Sequence, residues 1–114
     1  MIVLCVGVDH QTAPLAMRER LAYSMVQAEE MYLDFAAGRF IDALPVEEVA
    51  LLSTCNRVEL YGAVPNERAT PATTDAMWRF LWRGRDDTPD AIAPQGYAFT
   101  GSHAERHLTL GTGD

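Results

Sequence analysis

The chain has 114 residues, which is enough for one domain with a modest hydrophobic core and too few for two. Its 48% hydrophobic and 22% charged residues are typical of a soluble globular protein, and its net charge of −7 argues against a broad, nonspecific nucleic-acid surface. Every basic residue is an arginine, so Schiff-base catalysis by a lysine is excluded. No apolar stretch is long enough to span a membrane, and the N-terminus lacks the basic region of a signal peptide. With only two cysteines as well, we expect a cytoplasmic protein.

The first half of the chain predicts three strands and two helices. The continuous apolar run near the N-terminus is typical of a strand buried on both faces. Ser24 and Gln27 have the spacing of a helix capping box, and Gly38 is a helix stop. In chain order, the expected elements are a strand at Ile2–Val8, helices over 12–22 and 24–38, and strands at Val49–Leu52 and Val58–Val64.

The second half predicts two further helices and a short strand. They are a helix at Ala72–Trp82 that is apolar almost all round, a loop at Gly84–Gln95, a strand at Tyr97–Phe99 and a helix at Ser102–Leu108. The order of elements is therefore β-α-α-β-β-α-β-α. This order predicts an α+β fold, a ferredoxin-like split β-α-β sandwich with a mostly antiparallel sheet and helices on one face.

Cys55 is the first candidate for chemistry, because polar residues surround it between two predicted strands. A thiol at such a hairpin tip is accessible, and Arg57, two residues away, would favour its thiolate. A lone cysteine is more commonly a small buried hydrophobe, which fits Cys5 inside the first strand. Cys55 fits that description poorly, so a nucleophilic thiol that attacks a carbonyl remains open.

The histidines and the remaining polar runs are less specific. His10 follows the first strand, where it is either hydrogen-bonded to the backbone or part of a pocket. His103 and His107 have the four-residue spacing of a metal pair, but no third ligand is evident, so we predict no metal and favour proton transfer or an orienting role for His107. The run Arg18-Glu19-Arg20 is typical of a solvated helix face. The closely spaced glycines at 111 and 113 have no strand before them and no helix after them, so no nicotinamide site is expected here.

Three motifs give the chain a family resemblance. They are Gly7–Pro14 with Arg18-Glu19 after it, the longer and more specific Ser53–Tyr61, and the weaker Glu105–Leu108. On these motifs, residues 1–108 resemble the N-terminal catalytic domain of glutamyl-tRNA reductase, the first enzyme of the C5 route to tetrapyrroles (porphyrin biosynthesis).

The resemblance implies a mechanism for Cys55. Its thiol would attack the ester carbonyl that joins glutamate to the acceptor end of tRNA(Glu), and the thioester so formed would be reduced by NADPH to glutamate-1-semialdehyde. Thr54, Asn56 and Arg57 match the substrate-binding stretch of the motif, and a guanidinium suits the glutamyl carboxylate. His107 matches the family's active-site histidine, for which acid/base or orienting help is the natural role.

The sequence departs from the family after His107. Residues 109–114 form a divergent or truncated tail, and the domains that bind NADPH and form the family's homodimer are absent. We therefore expect this chain alone to be unable to reduce a thioester. The alternative is a non-catalytic binding or regulatory module that keeps the fold.

Overall fold

The computed structural model describes residues 1–111, with side chains described as far as Thr109; residues 112–114, and with them half of the predicted tail and one of its two glycines, lie outside the described part. Two short 3-10 helices, Asn66–Arg68 and Ala93–Gln95, lie between the main elements. The main elements are β1 (Ile2–Asp9), α1 (Leu15–Leu21), α2 (Met25–Ala36), β2 (Glu48–Ser53), β3 (Arg57–Val64), α3 (Pro71–Leu81), α4 (Pro89–Ile92), β4 (Tyr97–Thr100) and α5 (Ser102–Gly111). None of these helices has the length and apolar composition needed to cross a membrane.

The four strands form one sheet in the order β2-β3-β1-β4, and each neighbouring pair is antiparallel. This is the strand order that a split β-α-β sandwich produces, so the predicted α+β fold is confirmed. The register places Gly7 of β1 between Glu59 of β3 and Tyr97 of β4, and it pairs Asp9 with Arg57 at one end of the sheet. The first two of the three motifs that carry the family resemblance therefore meet at that end.

The two faces of the sheet are covered by different helices, which corrects the prediction that all helices lie on one face. Successive side chains of a strand point to opposite faces. Leu4, Val6 and Val8 pack with α1, α2 and α3, whereas Cys5 points to the other face. There α5 covers the sheet through Ala104, which is buried beside Cys5. The sequence predicts that β1 is buried on both faces of the sheet, and α5 covers part of the second face.

The predicted start of α2 is confirmed in detail, whereas α1 begins three residues later than predicted and has no side-chain cap. One loop prediction is wrong in part. The backbone amide of Ser24 donates to Gln27 Oε1 at 2.8 Å, and the Gln27 amide donates to Ser24 Oγ at 3.1 Å, which completes the capping box of α2. Within the segment predicted as a loop, α4 forms a single helical turn. It covers α3, where Trp78 Nε1 donates to the Pro89 carbonyl at 2.9 Å. Helix α3 is apolar almost all round, and α4 of the same chain covers part of its surface.

Candidate active site

Cys55 lies at the tip of the β2–β3 hairpin, and the structure confirms that it is exposed. Thr54 shapes this tip: its hydroxyl oxygen accepts from the backbone amides of Asn56 and Arg57, both at 3.2 Å. The Thr54 amide also donates to the Arg57 carbonyl at 2.8 Å. Such side-chain bonds to the next few amides fix a turn, so Thr54 determines how the hairpin presents the thiol.

Arg18 ties the first motif to this hairpin, a contact that the sequence did not reveal. Its Nε donates to the Ala13 carbonyl at 3.2 Å, and its Nη1 donates to the Cys55 carbonyl. The prediction that Arg18 belongs to a solvated helix face is therefore wrong, because its guanidinium spans from the start of α1 to the hairpin tip. The neighbouring Arg20 does lie at the surface, where it pairs with Asp87 at 2.9 Å.

His10 lies in the exposed turn after β1, at the same end of the sheet as the hairpin. The turn is held by Asp9, whose Oδ1 accepts from the amides of Gln11 and Thr12 at 2.9 and 3.0 Å. The His10 side chain makes no hydrogen bond to any residue between 1 and 109. Its role in a pocket stays a prediction.

Glu59 forms the centre of a polar cluster on the α5 face of the sheet, and its side chain has no exposed surface. Its Oε1 accepts from the Tyr61 hydroxyl at 2.7 Å and from Arg57 Nη1 at 3.3 Å. Its Oε2 accepts from the Tyr97 hydroxyl at 2.6 Å and lies 3.7 Å from the thiol of Cys5. A buried carboxylate is tolerated only with such partners, since transferring it from water unpaired costs several kcal/mol.

His107 joins the same cluster from α5. Its Nδ1 lies 3.0 Å from Glu59 Oε2, and its ring lies against Phe99, with 4.4 Å between the ring centroids. The His107 carbonyl oxygen accepts from Arg57 Nη1 at 3.3 Å. Both the ring and the backbone of this residue are therefore held by groups of β3 and β4.

Arg57 links the hairpin to α5 and is only 8% exposed. Its Nη1 faces Glu59 and the carbonyl of His107, so part of its hydrogen-bonding capacity serves the buried cluster. The two roles expected of it, which are to favour the Cys55 thiolate and to pair with a substrate carboxylate, stay predictions.

His103 lies one turn before His107 and is exposed, with its ring centroid 6.2 Å from that of Phe99. The described residues include no group of three or more histidine, cysteine, aspartate or glutamate side chains that could hold a metal ion. Elsewhere, a cleft of about 430 Å³ lies between α3 and β4 and is lined in part by Trp78 and Gly96; neither Cys55 nor His107 borders it.

Folding raises the pKa values of three acidic side chains in the Glu59 cluster. Burial, followed by the charge of Glu59, raises the pKa of the Cys5 thiol. Burial also raises the pKa of Tyr61, with the charge of Cys5 as the next cause, and that of Tyr97, where the hydrogen bond to Glu59 adds to the effect. At neutral pH all three groups therefore remain hydrogen-bond donors.

These raised pKa values predict a loss of stability at alkaline pH. In the unfolded chain Cys5 and Tyr61 ionise near their ordinary values of 9.0 and 10.0, whereas the folded protein keeps both protons. The folded state then binds more protons, so the free energy of unfolding falls as pH rises above about 9, by about 1.4 kcal/mol per pH unit for each such group. Urea unfolding between about pH 8 and pH 11 measures this slope, and Cys5→Ala should flatten it. An unchanged slope in that variant would contradict the assignment to Cys5.

Sequence reasoning missed Glu59 and Tyr97 as members of the site. The available signal was the position of Glu59 in β3, one residue from the buried Leu60 and two from Tyr61. A charged residue on a strand face that must be covered predicts a buried partner. The identity of that partner was not accessible, because Tyr97 and His107 lie 38 and 48 residues further along the chain.

Comparisons with known proteins show the family of this chain and support its fold. A family model described as the glutamyl-tRNAGlu reductase N-terminal domain matches residues 6–110. The solved glutamyl-tRNA reductase from Methanopyrus kandleri is similar in fold, with 24% sequence identity and a TM-score of 0.52. The likeness covers 93% of this chain and 21% of that chain, so this chain spans about a fifth of the length of that relative. On the family match, this chain belongs to the family of glutamyl-tRNA reductase N-terminal domains.

Proposed function

We propose that this chain is the acyl-accepting catalytic domain of a glutamyl-tRNA reductase. The observation that carries the proposal is the exposed thiol of Cys55 on a hairpin tip that Thr54 and Arg18 hold in place, within a chain of this family. The thiolate of Cys55 attacks the carbonyl carbon of the glutamyl ester. A sulfur–carbon bond forms, the carbon–oxygen bond to the terminal ribose breaks, and the proton from the thiol is transferred to the departing ribose oxygen.

The neighbouring residues have supporting roles in this proposal. His107 acts as the acid/base or orienting group, because an imidazole exchanges protons near neutral pH and this one is held by hydrogen bonds on the α5 face. Asn56 and Arg57 contact the glutamyl group, and Thr54 fixes the turn that carries them. His10, in the exposed turn at the same end of the sheet, is a further candidate for the pocket wall.

Reduction of the thioester by NADPH is assigned to the complete enzyme and not to this domain. The described sheet has only antiparallel neighbours, whereas the usual dinucleotide site needs a parallel β-α-β unit with a glycine-rich turn. The described residues therefore do not fit NADPH, and we assign the hydride-transfer step to another domain of the complete enzyme. We assign the homodimer contacts of the full-length family to a separate dimerisation domain.

The remaining parts of the proposal concern the partner and the compartment. The domain meets tRNA(Glu) at its acceptor end, because a chain of net charge −7 offers little attraction to an extended phosphate backbone. The cytoplasm is the compartment that would keep the Cys55 thiol reduced. The pathway is tetrapyrrole biosynthesis, as the family implies.

The proposal is tested by incubating the chain with glutamyl-tRNA(Glu), quenching in acid and analysing the digest by mass spectrometry. We expect one glutamyl group on the peptide that contains Cys55, together with deacylated tRNA, and no aldehyde when NADPH is added. A mixture of free glutamate and uncharged tRNA(Glu) is the control and should give no adduct. Binding of glutamyl-tRNA without any adduct on Cys55 would contradict acyl transfer and favour the binding-module alternative.

A further inference from the structure

The contacts of Glu59 have one property in common. Within the described residues, each group within hydrogen-bonding distance of its carboxylate can donate, and these groups come from all the elements packed around it. They are Cys5 of β1, Arg57 and Tyr61 of β3, Tyr97 of β4 and His107 of α5. An ionised carboxylate only accepts hydrogen bonds, so the ring nitrogen that faces it is the donor of that pair.

We propose that Glu59 is a positioning residue that holds His107 in the tautomer with its proton on Nδ1. The second ring nitrogen, Nε2, is then the basic one, and it makes no hydrogen bond to any residue within the described part of the chain. The catalytic part of this inference rests on the proposed function. In that function, Nε2 accepts the proton from the Cys55 thiol and later donates it to the ribose oxygen. The tautomer itself is a property of the free protein.

The burial of the cluster makes this arrangement specific. Glu59 has no exposed surface, so its carboxylate depends on donors from the protein, of which His107 is one. Phe99 and Tyr97 flank the imidazole, with ring centroids 4.4 and 5.3 Å away, and limit its rotation. A flip of the ring would place Cδ2 where Nδ1 now lies, and the carboxylate would lose this hydrogen bond. Which ring nitrogen of a histidine carries the proton is set by the partner of the other nitrogen.

The tautomer can be read directly by long-range proton–nitrogen NMR on protein labelled with ¹⁵N at histidine, at about pH 8, where free histidine is neutral. His107 should show the pattern of an Nδ1–H imidazole. The exposed His10 and His103 serve as internal references and should show the Nε2–H form that prevails in water. An Nε2–H pattern for His107 would overturn the proposal, and this outcome needs no variant and no tRNA.

A pair of variants separates positioning from a general structural effect. Glu59→Gln replaces one accepting oxygen with a donor, so His107 should lose its preference for the Nδ1–H form, and glutamyl transfer should slow by about 10- to 100-fold. Tyr97→Phe removes a hydrogen bond to the same Oε2 but leaves the acceptor, so His107 should keep its tautomer. If Glu59→Gln keeps the tautomer, or if both variants shift it equally, the positioning role is wrong. If the wild-type domain shows the Nδ1–H form but never acquires a glutamyl group, the proposed function fails while the assignment of Glu59 stands.

Discussion

Replacing Cys55 with serine is expected to reduce glutamyl transfer to the domain by at least about 10³-fold, since removal of a catalytic nucleophile costs several orders of magnitude in rate. A serine hydroxyl is a far weaker nucleophile than a thiolate, because it remains protonated near neutral pH. The side chain is exposed and contributes little packing, so the free energy of unfolding should change by less than about 0.5 kcal/mol. Intact-mass analysis and the rate of tRNA deacylation measure transfer, and urea unfolding measures stability.

A relocated thiol is the matched control for this variant. The double variant Cys55→Ser with Glu29→Cys places a thiol on the exposed face of α2, away from the hairpin. It should form no glutamyl adduct, because exposure alone does not position a thiol against the ester. Cys5 cannot substitute in either protein, since it is buried and its raised pKa keeps the thiol protonated. Transfer to the relocated thiol at the wild-type rate would show that the hairpin has no catalytic role.

Replacing Gly7 with alanine is expected to lower the free energy of unfolding by about 3 kcal/mol, at the upper end of the usual cost of overpacking. A Cβ at this position would lie 2.4 Å from the Val58 carbonyl oxygen and 2.8 Å from Glu59 Cγ. Gly7 lies between Glu59 and Tyr97 in the sheet, so the missing side chain gives the carboxylate room to reach the tyrosine hydroxyl. The backbone oxygen cannot move without breaking the β1–β3 pairing.

Gly62→Ala is the comparison for Gly7→Ala, because both glycines lie in central strands. A Cβ at Gly62 would meet Val46 Cγ1 at 2.7 Å and Met77 Cε at 3.2 Å, which are side-chain atoms that can shift. Urea unfolding should therefore show a smaller loss for Gly62→Ala than for Gly7→Ala. Equal losses would indicate that the close approach of Glu59 to β1 is not what requires a glycine at position 7.

Local chemistry explains why much of the fold could be predicted. The capping box at Ser24, the turn residues at Thr54 and the alternation of Val58, Leu60 and Val64 each depend on residues within a few positions of one another. The short helix α4 was missed because a single turn has almost no periodic signal. The position of α5 on the second face was missed because amphipathic spacing predicts a buried face and does not say which surface buries it.

The candidate site likewise has one part that local sequence patterns predict and another part that they do not. The thiol, its polar hairpin and the family can be predicted from the sequence alone, because they depend on the contiguous run Ser53–Tyr61 and on the residues after β1. The contact of Arg18 with the hairpin, and those of Glu59 with Tyr97 and His107, become visible only in the folded chain. A buried carboxylate takes its partners from whichever strands and helices the packing brings to it, and here they come from 38 and 48 residues away. The apolar run of β1 predicts that both of its faces are buried, but which residues cover them is decided only by the packing of distant elements.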